Sequence, residues 1–285
     1  KTIFNSENIH LAEKVLDGQR IDAIEALTLY SSFSISQLAF LASERKRKQT
    51  QNKVYFNRNI HIEPTNICVY QCRFCSYRAH SSEDSYIYSA EDIIKRIENV
   101  EENITEVHIT GGVHPEWGIK YFSELLNKIH TRFPNLHIKA FTAVEIEYMC
   151  NLDGLTYEEG LKTLMQNGLK SLPGGGAEIF DEEIRLKISP EKSSGKIWLE
   201  IHKIAHSLGM KTNATMLYGH IESFEQRVQH MEALRSLQDE TGGFQAFIPL
   251  KFRRANNPMS DVKEVSLMED LKNYAVSRIF LDNIP

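Results

Sequence analysis

Three of the four cysteines in this chain of 285 residues lie in one short stretch, Cys68, Cys72 and Cys75, spaced C-x-x-x-C-x-x-C. Thiolates this close together suit a metal centre. Three is one fewer than a fully protein-ligated iron–sulfur cube uses. A cluster held here would keep one corner open, and an open position marks a catalytic site more than a structural one. The plainer alternative is a structural zinc ion with His80 completing a Cys3His tetrahedron. Such a clamp adds little to a chain long enough to build its own core. Phe74, between the last two cysteines, has no role in a zinc site. Cys150 stands alone in an apolar helical stretch and reads as packing.

Glycines come next. Gly111-Gly112 reads either as a turn or as a backbone brought close to a ligand. Gly174-Gly175-Gly176 is either a flexible loop or a set of N–H groups with room to approach an anion or a ribose. Glu178 follows as an acceptor for hydroxyls. No G-x-x-x-x-G-K-[ST] pattern occurs, which disfavours a triphosphate site. His202 and His206 share a helix face but lack the intervening Glu of a zinc protease, so they read as helix-face residues. His61, His114 and His220 fall near strand ends, where each serves either as a hydrogen-bonding residue or as a carboxylate ligand.

These residues must be positioned by a regular scaffold. Strand-like runs occur at residues 60–64, 106–112, 137–142, 171–174, 211–217, 244–250 and 278–284. Helical patterns separate them at 90–100, 121–132, 145–150 with 157–167, 182–187 with 196–208, 224–240 and 267–275. Strand and helix in alternation predict a parallel sheet with right-handed crossovers. Seven such strands predict an α/β fold of the (β/α) TIM-barrel type, with an eighth strand missing or supplied by the N-terminal region. The candidate residues then collect at the C-terminal strand ends, the catalytic face of such a barrel. Residues from about Ser6 to Gln51 are helical in pattern and end in a basic run, 44–48, that reads as a solvated helix end. The domains expected are a helical lead-in, 1–52, and the barrel, 53–285.

Composition narrows the rest. A net charge of -5 offers no clustered basic face for nucleic acid. Cysteines gathered in one cluster suit a reducing compartment and metal ligation, not a disulfide framework. No membrane-length apolar run and no signal-peptide core is evident, so a cytoplasmic location is expected.

The cysteine stretch, with its aromatic residue, resembles the signature of radical S-adenosylmethionine (SAM) enzymes. The resemblance extends through H-I-E-P-T-N-I-C at 61–68, G-G-V-H-P-E at 111–116, H-I-K-A-F-T-A-V-E-I at 137–146, P-G-G-G-A-E-I at 173–179, T-N-A-T-M-L-Y-G-H-I-E at 212–222 and Q-D-E-T-G-G-F-Q-A-F-I-P-L at 238–250. Together these segments are similar to the aminofutalosine synthases of the futalosine route to menaquinone. Dehypoxanthine futalosine cyclases and the deazaflavin-forming synthases are close relatives. The third-strand K-A-F-T and fifth-strand T-N-A-T favour the synthases. Members of the group continue beyond the position of Pro285, so a closing piece of the barrel is expected outside this sequence.

The resemblance implies a [4Fe–4S] cluster on Cys68, Cys72 and Cys75, with SAM on the fourth iron. Phe74, Gly111, Gly112, Gly174, Gly175 and Glu178 are then expected around SAM. It implies that the 5′-deoxyadenosyl radical adds to the enol ether of 3-[(1-carboxyvinyl)oxy]benzoate. Aryl migration and loss of a carboxyl group would yield 6-amino-6-deoxyfutalosine. A cyclase-like hydrogen abstraction is the alternative, and a non-enzymatic zinc or electron-transfer module the remote one. The substrate is dianionic, so its expected anchors are His61, His114, Asn213, Thr215, His220 and Arg253, with Arg254 weighed beside the last. The implied partners are the small-molecule substrate and an electron donor such as a flavodoxin or ferredoxin.

Overall fold

The computed structural model describes residues 4, 8–51, 53–100 and 103–285. Of the expected lead-in, 1–52, residues 1–3, 5–7 and 52 lie outside them. Three helices open the chain, α1 (Ile9–Leu16), α2 (Ala23–Ser32) and α3 (Ile35–Thr50). The alternating unit follows as β1 (Asn59–Ile62), α4 (Ala90–Glu98), β2 (Glu106–Ile109), α5 (Ile119–Arg132), β3 (His137–Ala140), α6 (Ala143–Asp153), α7 (Tyr157–Gln166), β4 (Leu169–Leu172), α8 (Glu182–Ile188), α9 (Gly195–Ser207), β5 (Lys211–Tyr218), α10 (Phe224–Thr241), β6 (Phe244–Lys251) and α11 (Leu267–Phe280).

The six strands pair in sequence order, all parallel, and form a half-barrel. Side chains alternate across it. Val107, Ile109, Ile138 and Ala140 are fully buried in one core with Ile93 and Ile97 of α4 and Leu126 and Ile129 of α5. The intervening residues, among them His61, His108 and Lys139, face the concave side. Helix starts are fixed by local chemistry. Ser89, Thr142, Thr156 and Ser223 each accept from an N3 amide while the N3 side chain reaches back, a reciprocal cap.

The expected seventh strand is not formed. Residues 278–280 are the last turn of α11, and 281–285 carry no strand. A short apolar run such as I-F-L has no period of its own and does not distinguish a strand from a buried helix end. Here Ala275, Val276, Ile279 and Phe280 form one buried helical stripe. The first strand also stops two residues early, since Pro64 has no N–H to give to a ladder.

The N-terminal helices are tied to the last ones. Tyr30 donates to Asn273 at 2.7 Å, Lys272 to the Tyr30 carbonyl at 2.9 Å, and Arg235 to the Ile21 carbonyl at 2.8 Å. The basic end of α3 is partly engaged: Arg47 pairs with Glu44, Arg45 lies 3.9 Å from Asp282, and Lys48 donates to the Leu16 carbonyl. Among the described residues, no helix is long and apolar enough to cross a membrane.

Candidate active site

The loop after β1 carries the three cysteines as free, half-buried thiols. Its own polar side chains close it. Asn66 donates to the Asp84 carbonyl at 2.8 Å and accepts from the Tyr86 amide at 2.9 Å. Thr65 donates to the Tyr86 carbonyl at 2.7 Å, and Tyr77 donates to the Thr65 carbonyl at 3.1 Å. Two backbone bonds fasten the loop to its surroundings, Val69 to the Val113 carbonyl and Arg73 to the Ile188 carbonyl.

Cys68, Cys72 and Cys75 line one cavity of about 130 Å³. Phe74, Gly111 and Gly112 line it too, as do Glu145, Gly176 and Lys192. The Gly112 amide donates to the Thr65 carbonyl at 2.8 Å. A Cβ at Gly112 would lie 2.2 Å from the Ile67 carbonyl oxygen, so only glycine lets the β2 end pass this closely under the cysteine loop. Gly176 has φ +84 and would drive a Cβ to 2.5 Å from Val144.

Electrostatics divide the walls. Burial pushes the Cys72 thiol up to about 11, opposed by the Lys192 charge. Lys192 is itself buried, which opposes its charge, but Glu178 and Cys72 outweigh burial and raise its proton affinity. Its Nζ lies 2.6 Å from Glu178 and 5.2 Å from the centre of the Phe74 ring. Glu178 holds φ 45, an uncommon backbone for a non-glycine residue. Across the cavity, Glu145 accepts from the amides of Gly111 at 3.3 Å and Thr142 at 2.7 Å. Burial still lifts its carboxyl to about 7.

The sequence-expected residues separate into groups. The three cysteines, Phe74, Gly111 and Gly112 meet at the cavity, and Glu178 reaches its edge through Lys192. Gly174 and Gly175 are not themselves in its lining: the Gly174 carbonyl accepts from the Thr215 hydroxyl and the Gly175 carbonyl from Trp198 Nε1 at 3.1 Å, while Gly175 packs against Thr142, which does line the cavity. His114 is buried, accepts from the Glu116 amide and stacks on Trp117 with ring centres 4.3 Å apart. His220 is enclosed between the Leu217 carbonyl at 3.2 Å and Glu222 at 3.1 Å. Arg253 is exposed and pairs with Glu264 at 3.1 Å, which also accepts from the Arg254 amide. His61 and Asn213 sit on the concave face of the sheet. His202 and His206 lie on one face of α9, the helix-face placement expected. His202 is fully buried, and both rings bond the Thr212 hydroxyl, at 2.9 and 2.8 Å.

Sequence reading missed Lys192 and Glu145 as members of this cavity. Lys192 sits in a polar run with no pattern of its own. The T-x-x-E of Thr142 and Glu145 is legible as a helix cap, and a cap alone gives no hint of a second duty.

The donor set fits a cluster. Among the described residues, no three His, Cys, Asp or Glu side chains close around a single-ion position, as a zinc tetrahedron requires. The three thiols instead line a shared cavity, with the Lys192 cation beside Cys72.

Comparison with known proteins agrees. The family described as the Radical SAM superfamily matches residues 62–234. An aminodeoxyfutalosine synthase of Thermus thermophilus is 42% identical over 283 residues, covering 97% of this chain and 76% of that protein. A cyclic dehypoxanthine futalosine synthase of Halalkalibacterium halodurans is 36% identical, covering 96% of this chain and 75% of that protein. The crystal structure of methylornithine synthase superposes with a TM-score of 0.74 at 18% identity, covering 96% of this chain and 77% of that one, a likeness of fold.

Proposed function

The chain belongs to the radical SAM superfamily, and on that premise we propose that it is the synthase that joins the 5′-deoxyadenosyl part of SAM to 3-[(1-carboxyvinyl)oxy]benzoate, forming 6-amino-6-deoxyfutalosine. The observation that carries the reading is the meeting of three free thiols, the 111–112 turn, Glu145 and Lys192 on one cavity, in a chain 42% identical to an aminodeoxyfutalosine synthase.

In this reading Cys68, Cys72 and Cys75 would hold a [4Fe–4S] cluster. When bound and reduced, it supplies the electron that cleaves SAM. Lys192 beside Cys72 favours the thiolate that a ligand must be. The same cation suits the carboxylate of SAM's methionine part, and Glu178, already paired to it, suits the ribose hydroxyls. Glu145 offers a carboxylate to the ammonium group while holding the Gly111 amide in place. Val113, Val144 and Glu145 give the cavity one buried side, away from water that would divert the reacting adenosyl group. A one-electron donor of the flavodoxin or ferredoxin kind is the partner this reading requires.

The test is anaerobic reconstitution with iron and sulfide, then incubation with SAM, reductant and the enol ether. Four irons and an adenine-bearing adduct are expected. Free 5′-deoxyadenosine without adduct would overturn the addition and favour the cyclase-type abstraction, in keeping with the 36% identical relative. Zinc alone would overturn both.

A further inference from the structure

The concave face of the half-barrel is divided in a way the cavity chemistry does not use. His61, His108 and Lys139 are register partners on β1, β2 and β3, so they form one row across three strands. Interiors of such barrels are ordinarily filled by branched apolar side chains. Here His61 and His108 stack with ring centres 4.7 Å apart, and Lys139 pairs with Glu106 at 3.0 Å one position below. Glu106 is already occupied from the other side, accepting from Asn57 at 3.0 Å. His108 Nε2 is buried without a hydrogen-bond partner. His61 Nε2 lies 3.3 Å from the Thr110 hydroxyl, and Thr110 lines the cysteine cavity, so this row adjoins it.

The opposite wall is different. Thr212, Ala214 and Met216 of β5 are fully buried toward the helices. Thr215 and Leu217 therefore face inward, with their register partners Ile248 and Leu250 of β6. Ile248 and Leu250 remain 41% and 42% exposed. A wall of nitrogen donors facing the exposed aliphatic groups of Ile248 and Leu250 calls for a ligand that is polar at one end and apolar along its body.

We infer that the β1–β3 row is a carboxylate-binding wall, with His108 Nε2 and Lys139 Nζ as donors and His61 at its rim, and that it takes the ring carboxylate of an aromatic acid whose ring lies toward Ile248 and Leu250. Burial and the neighbouring His61 and Lys139 push His108 down to about 4, against a raising contribution from Glu106. The neutral ring carries one N–H, which the inference places on Nε2, aimed at the anion. A donor left unpaired and buried is costly until a partner arrives. The inference rests on the substrate reading above and specifies which end of that substrate is held here.

The experiment measures binding by calorimetry to the cluster-loaded enzyme with SAM and no reductant, so that nothing turns over. The probes are 3-[(1-carboxyvinyl)oxy]benzoate and 2-phenoxyacrylate, which lacks the ring carboxylate. Wild type should prefer the first by about 10- to 100-fold. His108→Leu should reduce that preference to about threefold or less, with SAM affinity unchanged, and His108→Gln, which keeps an N–H, should restore part of it. The wall is overturned if His108→Leu keeps the preference, or weakens both probes and SAM alike. If wild type ignores both probes yet holds 3-hydroxybenzoate over phenol in a His108-dependent way, the wall stands and the assigned substrate falls.

Discussion

Replacing Glu145 by Gln separates two consequences of one buried carboxyl. Glu145 lies at the cavity, 7% exposed, with its two oxygens on the amides of Gly111 and Thr142. Burial lifts its carboxyl from 4.5 to about 7. A carboxyl whose folded value stands above its unfolded one weakens the fold as pH rises from about 4.5 to about 7, because the folded form must give up a proton it holds more tightly. At about 1.4 kcal/mol per tenfold in proton affinity, the loss approaches roughly 3 kcal/mol at pH 8. Gln carries no charge and avoids that loss, but its amide nitrogen cannot accept from an amide, which costs about 1–2 kcal/mol. Urea unfolding of the cluster-free chain should therefore show crossing curves. The variant should be less stable than wild type near pH 5 and as stable or more stable near pH 8. SAM binding should move the other way. In wild type the affinity should rise roughly five- to tenfold from pH 6 to 7.5 as Glu145 ionises, before the ammonium begins to lose its proton near 7.7–8.0. In E145Q it should be about 10- to 100-fold weaker at pH 7.5 and nearly flat with pH. Parallel stability curves with unchanged SAM affinity would refute the reasoning, since the carboxylate would then be neither strained by burial nor aimed at the ligand.

Three further outcomes follow from contacts around the same cavity. Gly112→Ala should destabilise the chain by about 1–3 kcal/mol in urea unfolding, because its Cβ would meet the Ile67 carbonyl oxygen at 2.2 Å; a neutral result would mean the cysteine loop yields freely. Lys192→Met should keep the far-ultraviolet spectrum of wild type but weaken SAM about 10- to 100-fold, since it removes the buried cation 2.6 Å from Glu178; unchanged affinity would leave that cation a purely structural partner. Asn66→Ala removes the two bonds that close the loop on residues 84–86, and iron content after reconstitution and gel filtration should fall below that of wild type, with full retention counting against a loop held by Asn66.

The period of the fold was legible because strands such as β3 bury alternate residues against the helices. Val107 and Ile109, or Ile138 and Ala140, announce a sheet covered by helices. The strand ends were less legible, and for a local reason. Pro64 has no donor to extend β1, whereas β2 ends at Ile109 although Gly112 still gives its amide to Thr65 in line with β1. The same ambiguity produced a seventh strand where α11 ends, because residues 279–281 are apolar in either geometry. Short apolar runs are decided by what they pack on, and that is tertiary information.

Thiols at fixed spacing announce themselves because few other uses would gather them, and the expected cluster ligands do share one cavity. Ligand anchors were harder to choose, since a histidine at a strand end is equally suited to a backbone carbonyl. His220 took such a partner in Leu217, and His114 accepts from the Glu116 amide. His108 stands instead in a row of inward-facing residues, with a buried Nε2 that has no hydrogen-bond partner, a property of the folded surroundings that no spacing in the chain encodes. Lys192 and Glu145 follow the same logic. Their neighbours in sequence are ordinary, and their charge acquires a purpose only where two crossovers bring it against Cys72 and the 111–112 turn. A barrel mouth assembles its chemistry from the ends of separate strands. The residues that generate the reactive group are therefore readable from one segment, while those that orient its co-substrates are dispersed among all of them.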